Sequence, residues 1–178
     1  MLHEVNIVKF KRSDFLAAPK SSIPVDLEYC DPTGEWFVNT PVQALPHCHI
    51  EGTLHFDGKS KVVSSLHYTG TMTVIDSITG EDLDVDFETD SRQEYSFDPL
   101  IEDDDEEEII RVFKDVIDLT DEAEEAIAYE APMSITHLAR EEYPQGEGWT
   151  LISDQDVIPE TKEEDPRWAK LKEFKFED

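Results

Sequence analysis

Apolar and polar side chains alternate through Cys48-His49-Ile50-Glu51-Gly52-Thr53-Leu54-His55-Phe56, where every even position but Gly52 is apolar and every odd one polar. A strand turns successive side chains to opposite faces, so this period predicts a strand with Cys48, Ile50, Leu54 and Phe56 facing a core. Asp57-Gly58 signals a turn. The next strand runs through Leu66, Tyr68, Met72 and Val74, again even, with Thr69, Thr71 and Thr73 on the other face. Directly paired residues share a face, so even must meet even. A two-residue loop at Asp57-Gly58 would set Phe56 against Lys59, so the spacing requires an odd loop or a bulge. Leu83, Val85 and Phe87 open a third strand in odd phase, which Tyr95 and Phe97 continue as one long strand would. Even-to-odd pairing takes an even loop, and Thr79-Gly80 or the four residues 77–80 supplies it. Val5-Asn6-Ile7-Val8 and Val25 to Tyr29 read as further strands upstream, with a turn at Asp31-Pro32-Thr33-Gly34 before Trp36.

Helical spacing enters later. Asp118 or Thr120 can cap a helix whose first turn holds Asp121 and Glu122, favourable at the positive dipole end. Leu119, Ala123, Ala126, Ile127 and Ala131 form its apolar stripe, and Pro132 ends it. Asp165-Pro166 opens a short terminal helix carrying Trp168 and Leu171. The pattern as a whole predicts one α+β domain over residues 1–178, dominated by an antiparallel sheet, open or barrel-like. Short helices are expected near 118–131 and 166–174, and a flexible segment near 153–165.

Charge changes this picture. The 178 residues hold 15 Lys and Arg against 43 Asp and Glu, a formal net charge of −28. Residues 1–20 are net +2, whereas residues 81–130 carry three basic and 22 acidic side chains, a net −19. Such a field repels phosphate backbones and anionic lipid and attracts basic partners. The run Asp103, Asp104, Asp105, Glu106, Glu107 and Glu108, with Glu102, predicts an extended solvated loop over 102–108. The only cysteines, Cys30 and Cys48, read as reduced thiols of a cytoplasmic chain. No apolar run approaches the roughly 20 residues that span a bilayer, and no signal-peptide order opens the chain.

Candidate chemistry is sparse. His47, His49, His55 and His67 could offer imidazoles to a metal, and a register summing to 116 would set His49 opposite His67. Yet the alternation points Cys48 away from its flanking imidazoles, and ligand pairs of metal-site spacing are absent, so a polar sheet face is the better reading. Asp84, Asp86 and Glu88 span about 13 Å along a strand, too far for one cation. Ser64, His67 and Asp76 are the residue types of a nucleophilic relay, but spacing does not assemble them. Trp36 and Trp149 read as packing residues. Trp168 sits beside Arg167 and Lys170, where a contact surface is conceivable. No phosphate cradle or nucleophile elbow is present. Neither a cofactor, a metal nor a small-molecule substrate is expected.

Three stretches carry a family resemblance. Asp118-Leu119 with Glu125 and Ala131-Pro132-Met133, then Gly148-Trp149-Thr150-Leu151-Ile152-Ser153, then Asp165-Pro166-Arg167-Trp168-Ala169-Lys170-Leu171-Lys172 together resemble the bacterial YceD family, the large ribosomal RNA accumulation proteins. The strand pair around Gly70-Thr71-Met72 and Ile75 to Leu83 looks like that family's central hairpin. The resemblance covers roughly residues 60–178. The chain departs from the family in carrying Ile75-Asp76-Ser77-Ile78-Thr79-Gly80-Glu81 where many members have a Cys-x-Arg-x-Leu-Glu turn. It also lacks their later cysteine pairs, so no zinc role carries over. The resemblance implies a non-enzymatic part in accumulation or maturation of large-subunit rRNA. Charge adds that the partner is basic, a ribosomal protein or large-subunit precursor, while RNA contact falls to the less acidic ends. Candidate partner-binding residues are therefore Asp103 to Glu108 in the acidic run and Arg167, Trp168, Lys170 and Lys172 in the terminal helix. The competing reading is an acidic inhibitor or nucleic-acid mimic seated in another protein's basic site.

Overall fold

A computed structural model describes residues 9–98 and 109–151. The chain divides into a unit ending at Leu138 and a second beginning at Ala139. In the first, β1 (Lys9–Lys11) leads into α1 (Arg12–Ala17) and a 3-10 turn at Pro19–Ser21. Four long strands follow: β2 (Ser22–Asp31), β3 (Ala44–Phe56), β4 (Lys61–Ile75) and β5 (Asp82–Ser91). Short strands β6 (Glu94–Ser96), β7 (Ile109–Arg111) and β8 (Val116–Asp118) then precede α2 (Thr120–Glu130). The sheet order is β2-β3-β4-β6-β7, with β5 also on β4, and every pairing is antiparallel except the parallel β6–β7. Among the described residues this sheet is open and does not close into a barrel. β1 and β8 form a separate antiparallel pair.

The predicted register rules hold. Phe56 pairs with Val62 and Ile50 with Tyr68, even against even, and Asp57 N donates to Lys61 O at 2.9 Å around the odd loop Gly58–Ser60. The Asp57 carboxylate fastens that loop by accepting from the N–H groups of Lys59, Ser60 and Lys61 at 2.7, 2.9 and 3.1 Å. Met72 pairs with Val85 and Val74 with Leu83 across the four-residue loop 77–80. The long odd-phase strand is interrupted at Arg92 and Gln93, yet Val62 opposite Tyr95 keeps the register that Leu66 opposite Ser91 has. β5 and β6 are one strand in register and two in hydrogen bonding. Two glycines permit the close pairing of β3 with β4. A Cβ on Gly52 would lie 2.1 Å from Ser65 O, and one on Gly70 would lie 2.3 Å from His47 O.

The inner face is mostly apolar: Cys48, Leu54, Val62, Tyr68 and Met72 are all sealed from solvent, and Ser64 is a buried polar residue among them. Leu119, Ala123 and Ile127 of α2 belong to the same core, which confirms the helical stripe. Ala131 leaves the helix with an extended backbone, as the following proline demands. The N-cap position falls on Leu119, whose side chain has no group to cap with, rather than on Asp118 or Thr120. Asp118, one residue earlier, accepts from Thr120 N at 3.1 Å and from the Thr120 hydroxyl. Several short elements were not expected, among them β1, β7, β8 and α1. α1 inserts Phe15 into the core, where its ring lies 6.2, 6.0 and 6.3 Å from those of Phe10, Phe56 and Phe97.

The second unit shows a 3-10 turn at Arg140–Glu142 and a minimal hairpin of β9 (Gln145–Gly146) and β10 (Trp149–Thr150). Trp149 is 55% exposed rather than a core residue, its indole lying over Gly146. The expected strand at Val5 to Val8, the acidic loop 102–108 and the terminal helix 166–174 lie outside the described residues, as does the segment 153–165. Among the described residues no helix is long and apolar enough to cross a membrane.

Candidate functional site

Because β2, β3, β4 and β5 all bury one parity, the other parity forms a continuous outer face. It presents Asp26 and Glu28 from β2, Glu51 from β3, and Asp82, Asp84, Asp86, Glu88 and Asp90 from β5. The five carboxylates of β5 are all exposed and recur every second residue, so they form a row about 27 Å long. Threonines of β4 orient two of them: Thr71 donates to Asp86 at 2.8 Å and Thr73 to Asp84 at 2.7 Å.

The four histidines lie on this face and are held by neighbours. His47 and His49 both reach Glu28, at 2.9 and 3.0 Å, and His49 lies 3.8 Å from Asp26 and from Glu51. His67 contacts Asp90 at 2.8 Å and Glu88 at 3.4 Å, and His55 pairs with the Ser22 hydroxyl at 2.8 Å. The hydrogen bond from Asp90 dominates the acidity of His67. Against partial burial, and helped by the charges of Asp90, Glu88 and Glu51, it holds the imidazole protonated to higher pH than usual. The register sets His49 opposite Thr69 and Glu51 opposite His67, not His49 opposite His67. Among the described residues no group of three or more His, Cys, Asp or Glu is arranged to hold a metal ion.

Between the strands this face dips into a cavity of about 760 Å³, lined by Asp26, Glu51, Ser65, His67, Asp90 and Arg92 with their neighbours. Arg92 is the cation of its wall, whose other polar groups are carboxylate, imidazole and hydroxyl and whose lining also includes Pro24, Val25, Gly52 and Leu66. A second cavity of about 240 Å³ lies beyond β5, between Asp90, Arg92, Glu125 and Tyr129.

Among the described residues three carboxylates are taken out of the surface field by burial, and the sequence reading placed none of them there. Glu122, 6% exposed, accepts from the hydroxyls of Ser64 at 2.8 Å, Tyr95 at 2.7 Å and Ser91. Asp31, 2% exposed, accepts from Thr33 N, Gly34 N and Trp36 N at 3.2, 3.0 and 3.0 Å. Asp76, 1% exposed, binds both its own turn and a distant segment. Its Oδ1 accepts from Ile78 N and Thr79 N, both at 2.9 Å. Its Oδ2 takes the Thr136 hydroxyl at 3.0 Å, His137 N at 2.9 Å and His137 Nδ1 at 2.7 Å. Burial alone would raise the Asp76 carboxyl, but the N–H donors of Thr79, His137 and Ile78 outweigh it and hold the group well below the usual range.

These partners dismantle the relay that Ser64, His67 and Asp76 suggested. Ser64 serves Glu122 on the inner face, His67 serves Asp90 on the outer face, and Asp76 serves His137 in a turn. Cys30 is exposed and Cys48 buried on opposite faces, so their side chains diverge. Burial first, and the nearby Glu28 second, push the Cys48 thiol up to about 12, which leaves it inert. The candidate residues Asp103 to Glu108, Arg167, Trp168, Lys170 and Lys172 lie outside the described residues.

A family model described as "Large ribosomal RNA subunit accumulation protein YceD" matches residues 64–175, well over half of the chain. The chain belongs to the YceD family. The match begins within β4, and so takes in the β4–β5 hairpin, the carboxylate row and α2. No curated protein and no solved structure matches the chain.

Proposed function

We propose that this chain is a non-enzymatic ribosome-biogenesis factor that supports accumulation of large-subunit rRNA by engaging a basic ribosomal protein or precursor particle through its acidic outer face. The observation that carries this reading is the β5 carboxylate row, which joins Glu28 and Glu51 in one exposed field within a family named for rRNA accumulation. Lysine- and arginine-rich proteins meet such a field with fast, salt-sensitive association. A regular row of fixed negative charge is also what a nucleic-acid mimic presents. That second reading requires no ribosomal particle, so co-sedimentation with large-subunit precursors separates the two.

The test is the association rate with a basic large-subunit protein of the same host. Replacing Asp84, Asp86 and Glu88 by Asn, Asn and Gln should slow association about tenfold at low salt and much less at high salt. An unchanged rate would place the docking surface elsewhere.

A further inference from the structure

Outside the acidic face, the fold gathers basic side chains that the sequence scatters. Arg12 N donates to Asp115 O at 3.0 Å, which sets Lys11 and Arg12 beside Lys114. The Arg12 guanidinium donates to Lys59 O at 2.8 Å and stands 5.6 Å from the centre of the Phe97 ring. Ser96 pairs with Lys61 on one side and with Arg111 on the other. Three segments separated by some fifty residues each therefore meet at one end of the sheet: β1 with α1, the β3–β4 loop, and the β7–β8 turn.

Most of the neighbouring acids are engaged, although Asp115 is exposed beside Lys114. Asp57 is consumed by its loop, Asp14 accepts from Lys11 N at 2.8 Å, and Asp118 is paired with Lys9 at 3.1 Å. By contrast, Lys11, Lys59 and Lys114 are exposed and make no ion pair among the described residues. Beside Lys114, Phe113 is 82% exposed. The turn that projects it holds two consecutive non-glycine residues left-handed, Lys114 at φ 59° and Asp115 at φ 55°. That conformation is sparsely populated for such residues and is found where a side chain must be aimed.

We propose that this basic end is a binding surface for single-stranded RNA, with Lys11, Lys59 and Lys114 on phosphates and Phe113 stacking on a base. Cations around an exposed aromatic ring are the two contacts that single strands offer. The choice of RNA among polyanions rests on the ribosomal reading above. The overall −28 does not forbid it, because at physiological ionic strength charges farther than about 8 Å are largely screened and the local lysines decide contact.

The experiment is fluorescence anisotropy of a labelled mixed-sequence RNA of about 20 nucleotides, titrated with the full chain at about 50 and 200 mM salt. The triple variant Lys11→Gln, Lys59→Gln, Lys114→Asn should bind at least tenfold more weakly at low salt. Its log–log salt slope should flatten by about 2, since each phosphate contact on a single strand contributes about 0.7. Asparagine is used at 114 because it tolerates the left-handed backbone. Phe113→Ala should weaken binding several-fold with the slope unchanged, because stacking releases no counterions. Arg92→Gln, which removes one positive charge away from the basic end, should leave RNA affinity within about twofold. If the triple variant does not fold, Lys59→Gln and Lys114→Asn singly carry the test. No RNA binding by the wild type at low salt, or equal binding by the variants, would overturn the proposal. The same triple variant should still bind the basic ribosomal protein. Loss of that binding alone counts against the acidic-face reading, and loss of RNA binding alone confirms the basic end.

Discussion

Glu122 shows how far a single residue can depart from its compositional class. It belongs to the most acidic fifty residues of the chain, yet it is buried against three hydroxyls and fixes α2 to the sheet through Ser64, Ser91 and Tyr95. A signal for this was present. Residue 122 lies one turn from both Leu119 and Ala126, on the apolar stripe, and a carboxylate there needs buried partners. Those partners sit 58, 31 and 27 residues away, at spacings no local pattern reports. Glu122→Ala strands the buried Tyr95 hydroxyl, leaves Ser64 only its bonds with the Gln93 backbone and takes an acceptor from half-buried Ser91, so it should cost about 3 kcal/mol in urea unfolding. Glu125→Ala, three residues on and exposed, should stay within about 0.5 kcal/mol. Equal effects would mean that the hydroxyl cage contributes nothing.

At the scale of elements, the strands were legible because period-two alternation dictates both face and register. The parity of Leu66 to Val74 against Leu83 to Phe87 was enough to require the even loop 77–80. Even Tyr95 kept phase across the break at Arg92. α1 was not legible, since six residues carry less than two turns of pattern and only Phe15 among them is buried. The segment after Pro132 was equally opaque, because its organising contacts come from a turn some sixty residues earlier. There, Asp76 holds Thr136 and His137, while Ser77 N donates to Ile135 O at 2.8 Å and Ile135 N to the Ser77 hydroxyl at 3.0 Å. Asp76→Ala should therefore free 134–138 without melting the sheet. Amide hydrogen exchange at His137 should accelerate by orders of magnitude while Leu54 and Tyr68 keep their protection. Acid should act the same way. A carboxyl held below its usual range lends stability that is present above about pH 4, the unfolded value, and is lost as pH falls through the lower folded one. The clamp should thus survive mild acid and open only in strong acid. Exchange at His137 unaltered by the substitution would remove the clamp from the account.

At the scale of the whole molecule, composition reported the sign of the field and the fold decides its shape. The carboxylate row was visible as Asp84, Asp86 and Glu88 on one strand face. The basic end was not, because it forms only when Arg12 reaches Lys59 and β1 pairs with β8. A molecule with a basic end and an acidic face can hold RNA and a basic protein on separate surfaces, and one perturbation should read both. The acidic run Asp103 to Glu108 is tied in sequence to Asp98 and Ile109, and so to the β6–β7 pair that also carries Arg111. Replacing Asp103, Asp104, Asp105, Glu106, Glu107 and Glu108 by Ser and Asn deletes six negative charges from the summed field. Each exposed charge contributes little by itself, so the effect must come from that sum and fade as salt rises. Association with a basic ribosomal protein should slow, since steering toward the chain weakens. RNA affinity should rise in the same variant, because repulsion of phosphates falls while Lys11, Lys59 and Lys114 are untouched. Opposite changes that converge at high salt are the signature of a field. Parallel changes would instead mean that the run contacts one partner directly, and no change in either would leave it as solvated charge.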